Sequence, residues 1–255
     1  MDSRQIRAVI SGGASGLGLA VAERLCADGG RVSLFDVNQD KGQAAAAALG
    51  ANAHFFKVDV ADEAALTACI DAAAATMAGL NVAVSCAGIL GAGRVLGRDG
   101  PMPLSQFETT VRVNLLGSFN LAKAAAAVMQ HNPPMEDGER GVIVNTASIA
   151  AFEGQVGQCA YAASKGGVVA MTLPMAREFA RIGVRVMTVA PGVFHTPMVD
   201  GMPEAVYQSL CAQVPYPSRL GKPEEFAETV AFILHNRYLN GGTLRVDGAI
   251  RLQAK

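Results

Sequence analysis

The sequence predicts an α/β fold: a Rossmann-like, doubly wound parallel sheet of about seven strands with helices on both faces. Three observations predict it. Short β-branched runs alternate with longer alanine-rich stretches along the whole chain. Each run is compactly apolar rather than alternating, as parallel strands buried on both faces require. The first run opens directly into a glycine-rich turn and then an amphipathic stretch, the start of a βα unit. The strands fall at residues 8–11, 31–35, 53–58, 82–85, 142–146, 185–190 and 243–246, and the helices at 16–28, 41–49, 63–77, 104–130, 160–181 and 224–235. Two stretches exceed ordinary loop length, 89–103 and 191–223, and the second is expected to hold its own short helix. Long connections inside a compact unit tend to be functional, and a substrate lid is expected within 191–223. No linker divides residues 1–255, and one domain is expected.

Composition excludes several classes. The 255 residues are 51% apolar but 5% aromatic, with 28 glycines and no tryptophan. A chain this long can bury roughly 75% of its unfolded surface. Twenty-one basic against 22 acidic residues leave a formal charge of −1, which gives no electrostatic footprint for nucleic acid. Five scattered cysteines without a C-x-x-C pair argue against disulfides or zinc and suit a reducing compartment. The longest uncharged run, 72–93, is broken by Gly79, Asn81, Gly88, Gly91 and Gly93, unlike a membrane span. The first strand begins near Arg7, so no leader peptide is expected. A cytoplasmic protein without membrane or nucleic-acid partners is the expectation. The four histidines share no metal-ligand spacing.

The first strand runs into Ser11-Gly12-Gly13-Ala14-Ser15-Gly16-Leu17-Gly18. Glycines there let the backbone turn sharply, approach a pyrophosphate and pack a helix on the strand, whose N-terminus offers free N–H groups. Any tight turn uses glycine, but position adds weight. Asp36 ends the second strand 18 residues beyond Gly18, where a carboxylate accepts hydrogen bonds from a ribose diol and repels a 2′-phosphate. No Arg or Lys lies among residues 12–18 or 36–40, so NAD is favoured over NADP. Asp59-Val60 ends the third strand and either meets the adenine edge or caps the following helix. Cys86-Ala87-Gly88 ends the fourth strand at the sheet's ligand-binding edge. Cys86 reads there as a packing residue rather than a reactive thiol.

Ser148 follows the fifth strand, and 13 residues later comes Tyr161-Ala-Ala-Ser164-Lys165. Residues four apart share a helix face, which sets Lys165 beside Tyr161. A phenol of pKa about 10 is a poor base at neutral pH; an adjacent ammonium and an oxidised nicotinamide favour the phenolate. Ser148 then holds the substrate oxygen while Tyr161 moves its proton. Tyr-x-x-x-Lys alone also fits a solvated helix face; the glycine turn, Asp36 and Ser148 together favour catalysis.

These pieces, Gly12-x-x-x-Gly16-x-Gly18, Cys86-Ala87-Gly88, Asn114, Ser148, Tyr161-x-x-x-Lys165 and Pro191-Gly192, resemble the short-chain dehydrogenase/reductase family over essentially the whole chain. The resemblance implies that Asn114 kinks its helix and holds a water linking Lys165 to solvent, and that Thr196 contacts the nicotinamide carboxamide or nearby phosphate. A helix-surface Asn and a turn Thr are the plainer readings. Cys86 stands where Asn is commoner in the family, and Val246-Asp247-Gly248-Ala249 replaces an ending in two glycines. A narrower likeness lies in 146–158, 217–221, 240–251 and the loop 91–103, which are similar to the type II 3-hydroxyacyl-CoA dehydrogenases of fatty acid metabolism, also called 17β-hydroxysteroid dehydrogenases type 10. It implies Ser15, Leu17, Asp36, Asp59, Val60, Cys86 and Phe194 around NAD, Ser148 at the substrate, and a homotetramer built on the helix 160–181 and the last strand. Gln155 or Gln158 either meets an acyl carbonyl or caps its loop. Arg94 and Arg98 either meet CoA phosphates or keep the loop soluble. Met198 and Met202 sit in the expected lid, where flexible thioethers suit a variable acyl chain, and His195 lies at its start. The expected activity is NAD-dependent oxidation of a 3-hydroxyacyl-CoA. A steroid or other hydrophobic secondary alcohol is the alternative substrate, and a non-catalytic NAD-binding scaffold the alternative of another class.

Overall fold

The structure, a computed structural model, describes residues 1–98, 100–197 and 203–254. Seven strands form one sheet: β1 (Arg7–Ser11), β2 (Arg31–Asp36), β3 (Ala53–Lys57), β4 (Val82–Ser85), β7 (Gly141–Thr146), β8 (Val184–Pro191) and β9 (Thr243–Val246). Their order is β3-β2-β1-β4-β7-β8-β9, and every pair is parallel. The chain reverses direction across the sheet between β1 and β4, so their carboxyl ends flank the crevice where such folds bind ligands. Two short strands, β5 (Leu96–Gly97) and β6 (Gly100–Pro101), make an exposed hairpin inside the long loop that follows β4.

Both faces of the sheet are apolar, which is why the strands read as unbroken hydrophobic runs. Ala8, Ile10, Val84, Val144 and Val189 point to α1 (Gly16–Ala27), α2 (Gln39–Leu49) and α9 (Pro223–His235). Val9, Ala83, Ile143 and Val186 point to α3 (Glu63–Met77), α5 (Gly117–Met129) and α7 (Cys159–Phe179). The expected helix over 104–130 is present as α4 (Leu104–Val111) and α5, joined by a π-helical turn at Arg112–Leu116. A four-residue helix, α6 (Ala150–Glu153), follows Ser148. The stretch 191–223 does hold a helix, α8 (Glu204–Ala212). Met198 and Met202 lie outside the described residues.

One buried ion pair fastens the edge of this frame. Arg185 Nε donates to Glu139 Oε2 at 2.5 Å, with both side chains largely buried. The same guanidinium donates to the carbonyls of Ile233, Leu234 and Leu239, closing the end of α9. Glu139→Ala leaves that cation without its counter-charge, and urea unfolding at fixed protein concentration should show a loss of about 3–5 kcal/mol. A loss below about 1 kcal/mol, the range of an exposed pair, would contradict this role.

Candidate active site

The glycine turn after β1 is built by close backbone approach. Gly12 has φ +65, and a Cβ there would stand 2.8 Å from the backbone nitrogen of Ala87. At Gly18 a Cβ would stand 2.3 Å from the Gly12 carbonyl. The turn and the end of β4 therefore press together only because side chains are missing. Ser15 precedes α1 as its N-cap and makes no side-chain cap bond, Leu17 packs against the core, and Gly16 faces Thr196, 3.6 Å from the position of its would-be Cβ. Asp36, at the tip of β2, accepts from the N–H of Ala14 (3.3 Å) and of Asn38 (2.9 Å), one on each oxygen. Those bonds orient the carboxylate and leave lone pairs for a diol. The turn, the open helix N-terminus and this carboxylate fit a dinucleotide with an unphosphorylated ribose.

The flanking residues are placed with equal definition. Asp59 Oδ1 accepts from the N–H of Ala61 at 2.9 Å, whereas the cap of α3 is Asp62, which accepts from Ala65 at 3.0 Å. Capping thus belongs to Asp62. Val60 is buried against Gly117 at the start of α5. The Ala87 N–H donates to Ser11 Oγ at 3.3 Å, and Cys86 Sγ lies 3.5 Å from Thr146 Oγ1. Burial pushes the Cys86 thiol up to about 11, against smaller opposing effects of Thr146 and Lys165, so it is an uncharged packing group near neutrality. Pro191 ends β8. Phe194, expected beside the nucleotide, has its ring buried edge-on to Phe226 and over Gly221. Its aromatic bulk joins the core between α9 and the sheet.

At the catalytic end, Tyr161 is the third residue of α7 and Lys165 lies one turn further on. Lys165 is buried; its Nζ donates to the Thr146 carbonyl at 2.8 Å and lies 5.9 Å from the centre of the Tyr161 ring. Burial lowers the Lys165 ammonium to about 8. Burial also raises the Tyr161 phenol above its ordinary value, with a hydrogen bond from Ser148 acting the other way. Ser148, two residues past β7 and buried, accepts from the Ala150 N–H at 3.1 Å, which seats its hydroxyl at the start of α6. Asn114, in the π turn and fully buried, makes three side-chain hydrogen bonds. Its Oδ1 accepts from the Ile89 N–H at 2.8 Å, and its Nδ2 donates to the Ile89 carbonyl at 2.9 Å and to Ser164 Oγ at 3.0 Å. Gly88 lies between the two groups: a Cβ there would be 3.2 Å from Asn114 Oδ1 and 3.5 Å from Lys165 Nζ.

Gln155 and Gln158 stand beyond this centre and bond chiefly within their loop. The Gln155 N–H donates to Gln158 Oε1 at 3.0 Å, and Gln155 Nε2 to the Gln253 carbonyl at 3.0 Å. Both line a cleft of about 620 Å³ with Arg94, Val95, Phe152 and Cys159. His195 packs edge-on against Tyr207 of α8. Ser164, Thr146 and Ser118 are engaged residues that sequence reasoning did not single out, although Ser164 sits inside the Tyr161–Lys165 spacing. Among the described residues no three metal-ligating side chains converge, and no helix is long and apolar enough to cross a membrane.

A sequence model of the family described as short chain dehydrogenase matches residues 7–206. The chain belongs to the short-chain dehydrogenase family and is an oxidoreductase. Within that family it is 50% identical over 248 residues to 3-hydroxyacyl-CoA dehydrogenase type-2 of Homo sapiens, covering 96% of this chain and 95% of that protein. The protein of the same name from Drosophila melanogaster is 44% identical over 246 residues, covering 96% of each chain. The crystal structure of 3-hydroxyacyl-CoA dehydrogenase type-2 from Mycobacterium avium superposes with a TM-score of 0.94 at 43% identity, covering 98% of this chain and 97% of that one.

The depressed Lys165 value has a signed consequence for stability. Below about 8 the native protein carries the cost of a buried ammonium. Between about 8 and the ordinary 10.5 native Lys165 is neutral while the unfolded chain still binds the proton, so stability rises with pH. The stability difference between Lys165→Met and the parent, both without cofactor, should favour the variant most near about pH 7 and shrink toward about pH 10. A difference that stays constant across that window, measured by urea unfolding, contradicts the burial of this charge.

Proposed function

We propose that this chain is an NAD-dependent dehydrogenase that reversibly oxidises the 3-hydroxyl of a 3-hydroxyacyl-CoA to the ketone. The observation that carries the proposal is the buried Lys165 ammonium beside the Tyr161 phenol, one helical turn apart and close to Ser148. The activity named for its relatives, 3-hydroxyacyl-CoA dehydrogenase type-2, supports the substrate class. Gly12, Ser15, Gly16, Leu17 and Gly18 hold the pyrophosphate side of NAD, Asp36 the ribose diol, and Asp59 and Val60 the adenine side. Cys86, Ala87, Gly88, Pro191, Phe194 and Thr196 border the nicotinamide side. Bound NAD supplies the hydride acceptor for oxidation and, when reduced, the donor for the reverse reaction.

In oxidation Tyr161 Oη takes the proton of the substrate hydroxyl, and in reduction it returns that proton. Burial alone disfavours the phenolate. The Lys165 ammonium offsets part of that cost, and its bond to the Thr146 carbonyl holds it at the right height. Ser148 donates a hydrogen bond to the substrate oxygen and fixes it against Tyr161. Asn114 holds the Gly88–Ile89 backbone and the base of α7 in register. The cleft lined by Gln155, Gln158 and Arg94 supports a bulky thioester substrate, with the arginine suited to the phosphates of CoA. Its apolar wall, Val95, Leu96, Phe152 and Val156, equally suits a steroid or another hydrophobic secondary alcohol. The same reading takes the chain as one domain that assembles as a homotetramer through α7 and β9 in the cytoplasm, within fatty acid metabolism.

Tyr161→Phe should keep NADH binding, followed by fluorescence, and lose about 10²–10⁴-fold in acetoacetyl-CoA reduction. Undiminished turnover in that variant overturns the mechanism. A ketosteroid reduced faster than acetoacetyl-CoA by the parent enzyme overturns the substrate assignment alone.

A further inference from the structure

A serine in the middle of a helix competes for backbone carbonyls and contributes little helix propensity. Ser164 is such a residue, and it is fully buried. Its hydroxyl donates to the carbonyl of Tyr161 at 2.7 Å and accepts from Asn114 Nδ2 at 3.0 Å. One side chain thus joins the π turn between α4 and α5 to the residue proposed as the acid/base. The joint lies where support is otherwise thin, because α7 begins at Cys159 without a side-chain cap and Tyr161 sits in that first turn.

The connection extends back to the sheet. Ser118 Oγ donates to the Asn114 carbonyl at 2.7 Å and lies 2.7 Å from Ser85 Oγ. With the Ser118 proton committed to Asn114, Ser85 must be the donor of that second bond. A continuous buried chain therefore runs from the end of β4 through Ser118, Asn114 and Ser164 to the backbone of Tyr161. Every link holds a group that would be costly to leave unpaired in the interior.

We propose that Ser164 is a positioning residue, acting through the Tyr161 backbone and Asn114 to hold the phenol in register with Lys165. The inference rests on Tyr161 as the acid/base. Ser164→Ala should lower kcat for acetoacetyl-CoA reduction about tenfold while the KM for NADH stays within about twofold. The pH at which kcat for the reverse oxidation is half-maximal should move upward, because a displaced phenol gains less from Lys165. Ser164→Thr keeps the hydroxyl and should restore most of the rate. In an Asn114→Ala background, Ser164→Ala should change kcat by less than about twofold, since the two residues form one unit. If Ser164→Ala does not accumulate folded, Ser164→Cys keeps the volume, weakens both bonds and is judged by the same criteria.

Parent-like kcat and pH dependence in Ser164→Ala overturn the inference. So does an equal loss in both backgrounds, or a threonine variant as slow as the alanine one. Full turnover in Tyr161→Phe would instead remove the reading on which the inference stands, so the two failures are distinguishable.

Discussion

The site depends on one constraint, an ammonium group buried beside a phenol. Lys165 reaches the interior at the carboxyl edge of the sheet, where the Thr146 carbonyl is its hydrogen-bond acceptor. A buried cation disfavours itself unless paired or bonded, and burial draws its pKa down to about 8. That value leaves the group charged near neutrality yet close enough to titration to exchange its proton. The backbone around it is arranged accordingly. Gly88 has no side chain to crowd Lys165 Nζ or Asn114 Oδ1, and the π turn sets Asn114 where it can bind both Ile89 and Ser164. Cys86 and Thr146 complete the wall with groups that carry no charge of their own near neutral pH.

The glycine turn follows from a different constraint, the distance of closest approach between main chains. The contacts of Gly12 with Ala87 and of Gly18 with Gly12 leave no room for a methyl group. Thr196, arriving from the far side after β8, covers Gly16. The segments that follow β1, β4 and β8 thus all begin at the same crevice, and Asp36 closes it at the end of β2. Small residues are what let these loops meet.

Legibility in the sequence tracks how local each cause is. Strand burial on both faces is written into residues such as Val142–Val144, and the glycine turn and Tyr161–Lys165 spacing are local signals. The π turn was not readable from periodicity, because it is held by tertiary bonds of Asn114 with the loop after β4 and of Ser118 with Ser85 of β4; only the family resemblance implied a kink. The hairpin β5–β6 and the helix α6 are too short to carry a periodic pattern. Asp62 rather than Asp59 caps α3 because the chain makes one more turn after β3 before the helix starts. The place of Phe194 beside the nucleotide is implied only by family likeness, because the packing of its ring on Phe226 is a long-range contact that no local pattern carries. Gln155 and Gln158 bond to one another and to Gln253 while also lining the cleft, so their spacing alone does not separate the two readings.

The central claim is that Tyr161 becomes an accessible base only when a cation joins Lys165 beside it. The chain has four tyrosines, so ultraviolet difference titration of the parent against Tyr161→Phe isolates one phenol. Without cofactor that phenol should titrate above the ordinary value of 10, as burial demands. With saturating NAD⁺ it should titrate below it, as the nicotinamide charge favours the phenolate. The same titration in both states would contradict the account.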